Sequence, residues 1–150
     1  MPEPPMIRGR PSHSTALALL QAEGLPASDL TDSHLEHFFF VGSDDSPTAL
    51  VGLEIYGTDA LLRSLVVSAE ARSKGTGSAL VRHAEGYASA HHAHAIYLLT
   101  TTAESFFERL GYRRIDRTAA PPSIQSTREF ASLCPASSAF MIKRLQTGEV

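Results

Sequence analysis

The clearest pattern in the chain is an apolar run, Leu61–Val67, that stops at Ser68. After a short polar link, Arg72–Gly77 opens a helical pattern in which Leu80, Val81, Ala84, Tyr87 and Ala88 fall on one stripe. The aliphatic, β-branched run predicts a buried strand, and the stripe predicts an amphipathic helix running to about His91. Upstream, Met6–Arg10 reads as a short strand. Ser14–Glu23 reads as a helix stopped by Gly24, and Leu25–Asp29 as a loop. Asp32 or Ser33 caps a short helix through Glu36. Phe38–Val41 and Ala49–Tyr56 are strands separated by the polar turn Ser43–Thr48, and Gly57–Asp59 turns the chain into the Leu61 strand. Downstream come a strand at Ala95–Leu99, cap residues at Thr100–Thr102, a short helix over Ala103–Leu110 ended by Gly111, and a strand start at Tyr112–Ile115. Pro121 and Pro122 break the chain, Ser123–Phe130 is helical, and Ala139–Leu145 is the last strand. Antiparallel strands followed by a parallel crossover predict an α/β fold with a mixed sheet.

Composition narrows the class. One hundred and fifty residues with 43% apolar content suit a single domain spanning 1–150, with Met1–Pro5 as a proline-rich tail. A net charge of −3 argues against general nucleic-acid binding. One cysteine excludes a disulfide framework or a thiolate metal cluster. No apolar signal core or membrane-length window is present, so the expected location is the cytoplasm, without membrane or nucleic-acid partners.

The strand, cationic glycine loop and helix together form a site for a phosphorylated ligand. Gly75 and Gly77 let the backbone approach a diphosphate, and the helix start offers unpaired N–H groups and a positive dipole end. Arg72 and Lys74 add two formal charges. A dinucleotide fingerprint would need a third glycine where Leu80 stands, and no P-loop string occurs. The bland alternative for this string alone is an ordinary crossover with a glycine-rich turn.

The string R-x-x-G-x-G resembles the acetyl-CoA loop of the GNAT superfamily of N-acetyltransferases. A second block, Thr100–Tyr112, resembles that superfamily's N-x-x-A-x-x-F-Y-x-x-x-G-[FY], with Thr100 replacing the asparagine and Phe107 replacing the tyrosine. The resemblance spans about Ile7 to Leu145 and implies a mixed, mostly antiparallel central sheet flanked by helices on both faces. LLRSLVV, YLLTTTAESFFERLGYR and the tail from Ala120 to Ser138 further resemble the branch associated with arsenic-resistance gene clusters. Relatives with known activity acetylate small amino-acid antibiotics bearing an arsenic or phosphorus acid.

This resemblance implies direct transfer from acetyl-CoA to the amine of a small-molecule acceptor, with no metal and with a homodimer left open. Leu65, Val66 and Val67 would offer backbone to the thioester arm, one N–H near them stabilising the oxyanion. Arg72, Ser73, Lys74, Gly75, Thr76, Gly77 and Ser78 would hold the diphosphate. Glu54 is the candidate base, expected opposite Arg63 across a hairpin centred on Thr58–Asp59; a structural ion pair is its bland reading. With Phe107 in place of the family's acid, Tyr112, Ser105 or Cys134 are the substitutes. Arg63 and Arg128 are expected to clamp an anionic acceptor, with Arg63 sharing a face with Leu65 and Val67; Arg117 reads as a surface arginine. His91, His92 and His94 suit a helix end better than a metal. Cys134 alone cannot bind trivalent arsenic and reads as a small buried residue. Ala95 stands where peptide-acetylating relatives often carry a glutamate, against a protein N-terminal acetyltransferase. Two other functions compete: an acyl-CoA-binding module with little catalysis, and acetylation of a peptide or protein amine.

Overall fold

The computed structural model describes residues 6–25, 27–43, 45–72, 74–133 and 137–145. The tail expected at 1–5, and the candidates Ser73 and Cys134, lie outside them. Seven strands form one sheet: β1 (Ile7–Gly9), β2 (Phe38–Gly42), β3 (Pro47–Tyr56), β4 (Asp59–Val67), β5 (Ala95–Thr100), β6 (Arg113–Arg114) and β7 (Ala139–Arg144). Their spatial order is β1-β2-β3-β4-β5-β7-β6, and only the β4–β5 pair is parallel. The helices are α1 (His13–Ala22), α2 (Asp32–Leu35), α3 (Thr76–Ala90), α4 (Glu104–Arg109) and α5 (Pro122–Gln125). Among the described residues, no helix is long and apolar enough to cross a membrane.

The central strands are covered on both faces, and side-chain alternation sorts their residues between them. Phe38, Phe40, Leu50 and Val66 pack under α1 and α2 through Ala16, Leu20 and Leu35. Phe39, Val51, Leu62, Ile96 and Leu98 pack on the other face against α3 and α4, through residues such as Leu80, Ala84 and Phe107. Leu61, Tyr97 and Phe140 meet Ile124 of α5. Gly52 is required by its neighbour: an added Cβ would lie 2.3 Å from the ring of Phe38, its cross-strand partner.

Three details depart from expectation. The β3–β4 turn is the two-residue pair Gly57–Thr58, with Gly57 at φ 64° and Tyr56 opposite Asp59. Glu54 therefore faces Leu61, and Arg63 faces Gly52. A shift of two preserves the face, so Glu54 and Arg63 still meet diagonally. Next, β4 bulges between Arg63 and Val66, where Ser64 adopts φ 60°. The extra residue reverses alternation, so Leu65 and Val67 join Leu62 on the α3 face, away from Arg63. Finally, the helix expected over Ser123–Phe130 is only one turn, followed by a π-helical turn at Glu129–Leu133. Thr127 Oγ1 donates to Ile124 O (2.8 Å) and accepts from Phe130 N (3.2 Å), diverting the backbone.

Candidate active site

β4 and β5 pair only at Asp59–Leu61 with Ala95–Tyr97. β4 runs six residues further, so its edge facing β5 has no strand partner beyond Leu61. Two cavities open in that gap, of about 710 and about 550 Å³, and both include Leu65, Thr102 and Ala103 in their walls.

The larger cavity runs from Leu65–Val67 to the start of α3 and across to Phe106 of α4. Gly75 is the N-cap of α3 at φ 79°, with no side-chain cap, and the first helical bond there runs from Ala79 N to Gly75 O (3.0 Å). The N–H groups of Thr76, Gly77 and Ser78 therefore lack helical acceptors at the positive end of a 15-residue helix. A Cβ on Gly75 would meet nothing within 4 Å, so its absence leaves the approach to that backbone open. Gly77 serves packing: its Cβ would lie 3.4 Å from Phe106 Cζ. Arg72 is pinned, its Nε donating to Val67 O (2.9 Å) and its Nη2 to Glu23 Oε1 (2.7 Å). Lys74 is exposed and does not line the cavity.

The smaller cavity lies between the diverging strands, beside Ser64, Phe107, Glu129 and Ser138. Behind its wall sits a buried ionic cluster. The fully buried Arg63 guanidinium donates from Nη1 to Asp29 Oδ2 (2.5 Å) and Glu54 Oε2 (2.8 Å), and from Nη2 to Asp29 Oδ1 (2.7 Å). Nη2 also lies 3.1 Å from Glu129 Oε1, and Nε donates to Ser64 Oγ (3.0 Å). Tyr56 donates its hydroxyl to Glu54. Burial opposes ionisation of Asp29, but the hydrogen bonds and charge of Arg63 outweigh it and lower the Asp29 pKa. Burial likewise disfavours charged Arg63, yet Asp29, Glu129 and Glu54 hold it firmly protonated. Burial, then Glu54, pushes the Tyr56 hydroxyl pKa up. Asp29, His34 and Glu54 converge within 4.8 Å in the manner of metal ligands, but Arg63 Nη1 already bonds both carboxylates.

Several expected site residues stand elsewhere. Glu54 is buried against Arg63 and Tyr56 and lines neither cavity. Arg63 does line the smaller cavity, but its guanidinium is engaged by Ser64, Asp29 and Glu54 through hydrogen bonds and by Glu129 as an ion pair. Arg128 is exposed and lines neither cavity, and Arg117 lies over the Phe130 ring at 5.2 Å. Tyr112 is buried on the far side of Phe107. Its hydroxyl donates to Glu85 Oε2 (2.9 Å), and burial, then Glu85, raises its pKa. Ser105 is exposed outside both cavities. His91 stacks on Tyr87 at 4.2 Å. Sequence reading missed Asp29, Glu129 and Ser138. Glu129 and Ser138 lay inside the quoted tail, matched as part of its pattern and given no role, and Asp29 sat in a stretch read as loop.

The strand, glycine loop and helix start expected from the first sequence block are present at β4, Gly75 and α3, and the second block forms β5's end and α4. The model of the acetyltransferase (GNAT) family matches residues 9–112, more than half of the chain. The chain belongs to the GNAT family. An uncharacterized N-acetyltransferase from Chlorobaculum tepidum is 32% identical over 92 residues, covering 61% of this chain and 59% of that protein. The chain thus spans less than two thirds of this curated relative. N-acetylglutamate synthase from Neisseria gonorrhoeae, crystallised with coenzyme A and N-acetylglutamate, superposes with a TM-score of 0.81. It is 18% identical, over 97% of this chain and 36% of the synthase. A Mycobacterium tuberculosis protein in complex with CoA gives a TM-score of 0.74 at 18% identity, over 95% of this chain and all of that one. GNAT membership and these likenesses agree on the fold, a seven-stranded, mostly antiparallel sheet with helices on both faces.

Proposed function

We propose that this chain transfers the acetyl group of acetyl-CoA to the amine of a small, amino-acid-like molecule. The observation that carries the reading is the meeting of the two cavities at Leu65, one with a phosphate-binding helix start and the other with polar side chains. Gly75 leaves room for a diphosphate, and the N–H groups of Thr76, Gly77 and Ser78 supply its donors. The unpaired edge of β4 at Leu65 and Val66 lies along the thioester arm and offers an N–H to the developing oxyanion, a type of contact worth roughly 2.7–4 kcal/mol. Acetyl-CoA supplies the activated acyl group. With Phe107 in the wall of the smaller cavity, the thiolate leaves without a tyrosine donor, which a thiol pKa of about 8.5 permits.

An amino-acid-like acceptor is supported by the N-acetylglutamate held in the gonococcal synthase. Resemblance of the tail to the arsenic-resistance branch extends the acceptors worth trying to arsenic- and phosphorus-acid amino acids. We place the activity in the cytoplasm, in a monomer or homodimer, with no part for nucleic acid or membrane.

The test is a thiol-release screen of amines, including glutamate and arsinic and phosphinic amino acids, alongside calorimetric CoA binding. Turnover of at least one small amine supports the reading. CoA binding with no thiol release from any amine, peptides included, would replace it with an acyl-CoA-binding module.

A further inference from the structure

We infer that Glu23 holds the nitrogen of the acceptor where the two cavities meet. This role rests on the acetyl-transfer reading for the identity of the ligand, and its place comes from separate observations. The walls of the two cavities have Glu23, Leu25, Leu65, Thr102 and Ala103 in common. A thioester carbon at the end of the arm along β4 and a nitrogen arriving through the smaller cavity must approach to about 3–3.5 Å before they react. That approach takes place against the shared wall. Among the residues of that wall, only Glu23 carries an ionisable side chain.

The Glu23 carboxylate is held in place from β4. Arg72 donates from Nε to Val67 O (2.9 Å) and from Nη2 to Glu23 Oε1 (2.7 Å). One guanidinium thus ties the carboxylate to the strand that carries Leu65, two residues before Val67. The two oxygens of a carboxylate together accept about four hydrogen bonds. Among the described residues the partner of the Glu23 carboxylate is Arg72, and it takes Oε1. What an incoming N–H needs is an open acceptor atom, not an uncompensated charge, and Oε2 is one. A bond from an ammonium N–H to that oxygen would be charge-assisted, hence among the stronger hydrogen bonds.

The other ionisable groups of the two walls are placed differently. In the larger cavity they are Arg72 and Arg109, which can only donate. In the smaller cavity they are Arg63 and Glu129, which pair with each other at 3.1 Å. A further feature of the smaller cavity points to a polar ligand. Ser138 forms part of its wall and is 4% exposed, and its Oγ has no hydrogen-bond partner. Buried hydroxyls are ordinarily paired, so a partner that arrives with the ligand accounts for this one. Glu23 and Ser138 together fit an amine that bears a second, neutral hydrogen-bonding group.

Glu23→Gln tests this. The variant keeps the shape of the side chain and loses only an ion pair whose arginine is 57% exposed, so it is expected to fold, which thermal unfolding checks. Its amide oxygen can keep Arg72, which turns an NH2 donor toward the acceptor nitrogen in place of Oε2. Calorimetry on CoA-loaded protein compares L-alaninamide, which carries an ammonium and a neutral amide, with propanamide, which lacks the ammonium. Wild type is expected to bind alaninamide at least about tenfold more tightly than propanamide, and Glu23→Gln to bind the two within about threefold of each other. A wild-type preference below that tenfold, no binding of alaninamide, or a preference above threefold kept by Glu23→Gln overturns the inference. CoA affinity of the variant is expected to stay within about threefold of wild type; a larger fall places the action of Glu23 in the larger cavity and overturns it as well. Should wild type bind CoA and release no thiol with any amine, acetyl transfer fails, and calorimetry with the two probes still decides the amine site.

Discussion

The cavity along Gly75–Ser78 is bordered by the backbone N–H groups of a helix start, whereas the cavity beside Glu129 is backed by an ionic cluster of side chains from four separate segments. In the first, a positive φ and a helix start expose N–H groups, and the nearby cation Arg72 is half outside and tied to Glu23. In the second, Asp29 comes from the loop before α2, Glu54 from β3, Arg63 from β4 and Glu129 from the turn after α5. A local backbone device tolerates change around it. A buried ionic cluster does not, since each member is compensated by the others.

The sharpest way to break this comparison is to remove one arginine from each region. Arg63→Met leaves three buried carboxylates without their cation and is expected to cost about 3–5 kcal/mol of stability, read from urea unfolding. Arg72→Ala removes a largely exposed pair and is expected to cost no more than about 1 kcal/mol. Similar urea midpoints for the two variants would show that the cluster is not the structural element described above.

Next in size is the glycine cap. Gly75→Val places a β-branched residue at φ 79°. Strain of about 1–2 kcal/mol is expected, with a fall in CoA affinity of at least about tenfold, each tenfold step being 1.4 kcal/mol. Isothermal calorimetry on the folded variant checks it, and an unchanged affinity would remove the helix start from the site.

A smaller gain is expected on the wall of the smaller cavity. Phe107→Tyr restores a donor near the departing sulfur and should raise turnover up to about tenfold at pH below about 8.5, the ordinary thiol pKa. That falls short of the roughly 10²–10⁴ typical of a tuned acid. A pH-independent response would mean that thiolate protonation does not limit the rate.

The smallest effects concern pH and stability. Asp29 titrates below its ordinary 3.8 in the folded state. Its contribution is complete above that value and is lost as pH falls through the folded pKa. His37, bonded to Tyr87 OH at 2.7 Å, is held below its ordinary 6.5 by burial first and then by His91. Its neutral form is therefore favoured, and stability is present above pH 6.5 and lost as pH falls below it. Melting temperature should decline from neutral pH toward pH 5, and His37→Phe should flatten that decline without altering CoA affinity. An equal slope in the variant would assign the decline to other groups.

How much of this was legible follows from the kind of interaction involved. The helix start at Gly75, the α4 block and the alternation in β2–β4 were readable because each is set within a few neighbouring residues: a glycine for φ > 0, a period of 3.6 or of 2. Even the Glu54–Arg63 contact survived a wrong turn assignment, because a two-residue slip keeps side chains on the same face. The Ser64 bulge was not readable, and it moved Leu65 and Val67 to the face opposite Arg63.

The sequence by itself determined the GNAT-type order of strands and helices, the glycine-capped start of α3 and the missing tyrosine at Phe107. Only the tertiary structure decided that Arg63 pairs with Asp29, Glu54 and Glu129. It also decided that Tyr112 turns to Glu85 and that Glu129 and Ser138 share the wall of the smaller cavity. Loop and helix-start chemistry is encoded by neighbours along the chain. The partner of a buried charge is set by which distant segments the sheet brings within about 3 Å, where removing water makes the choice of partner energetically decisive.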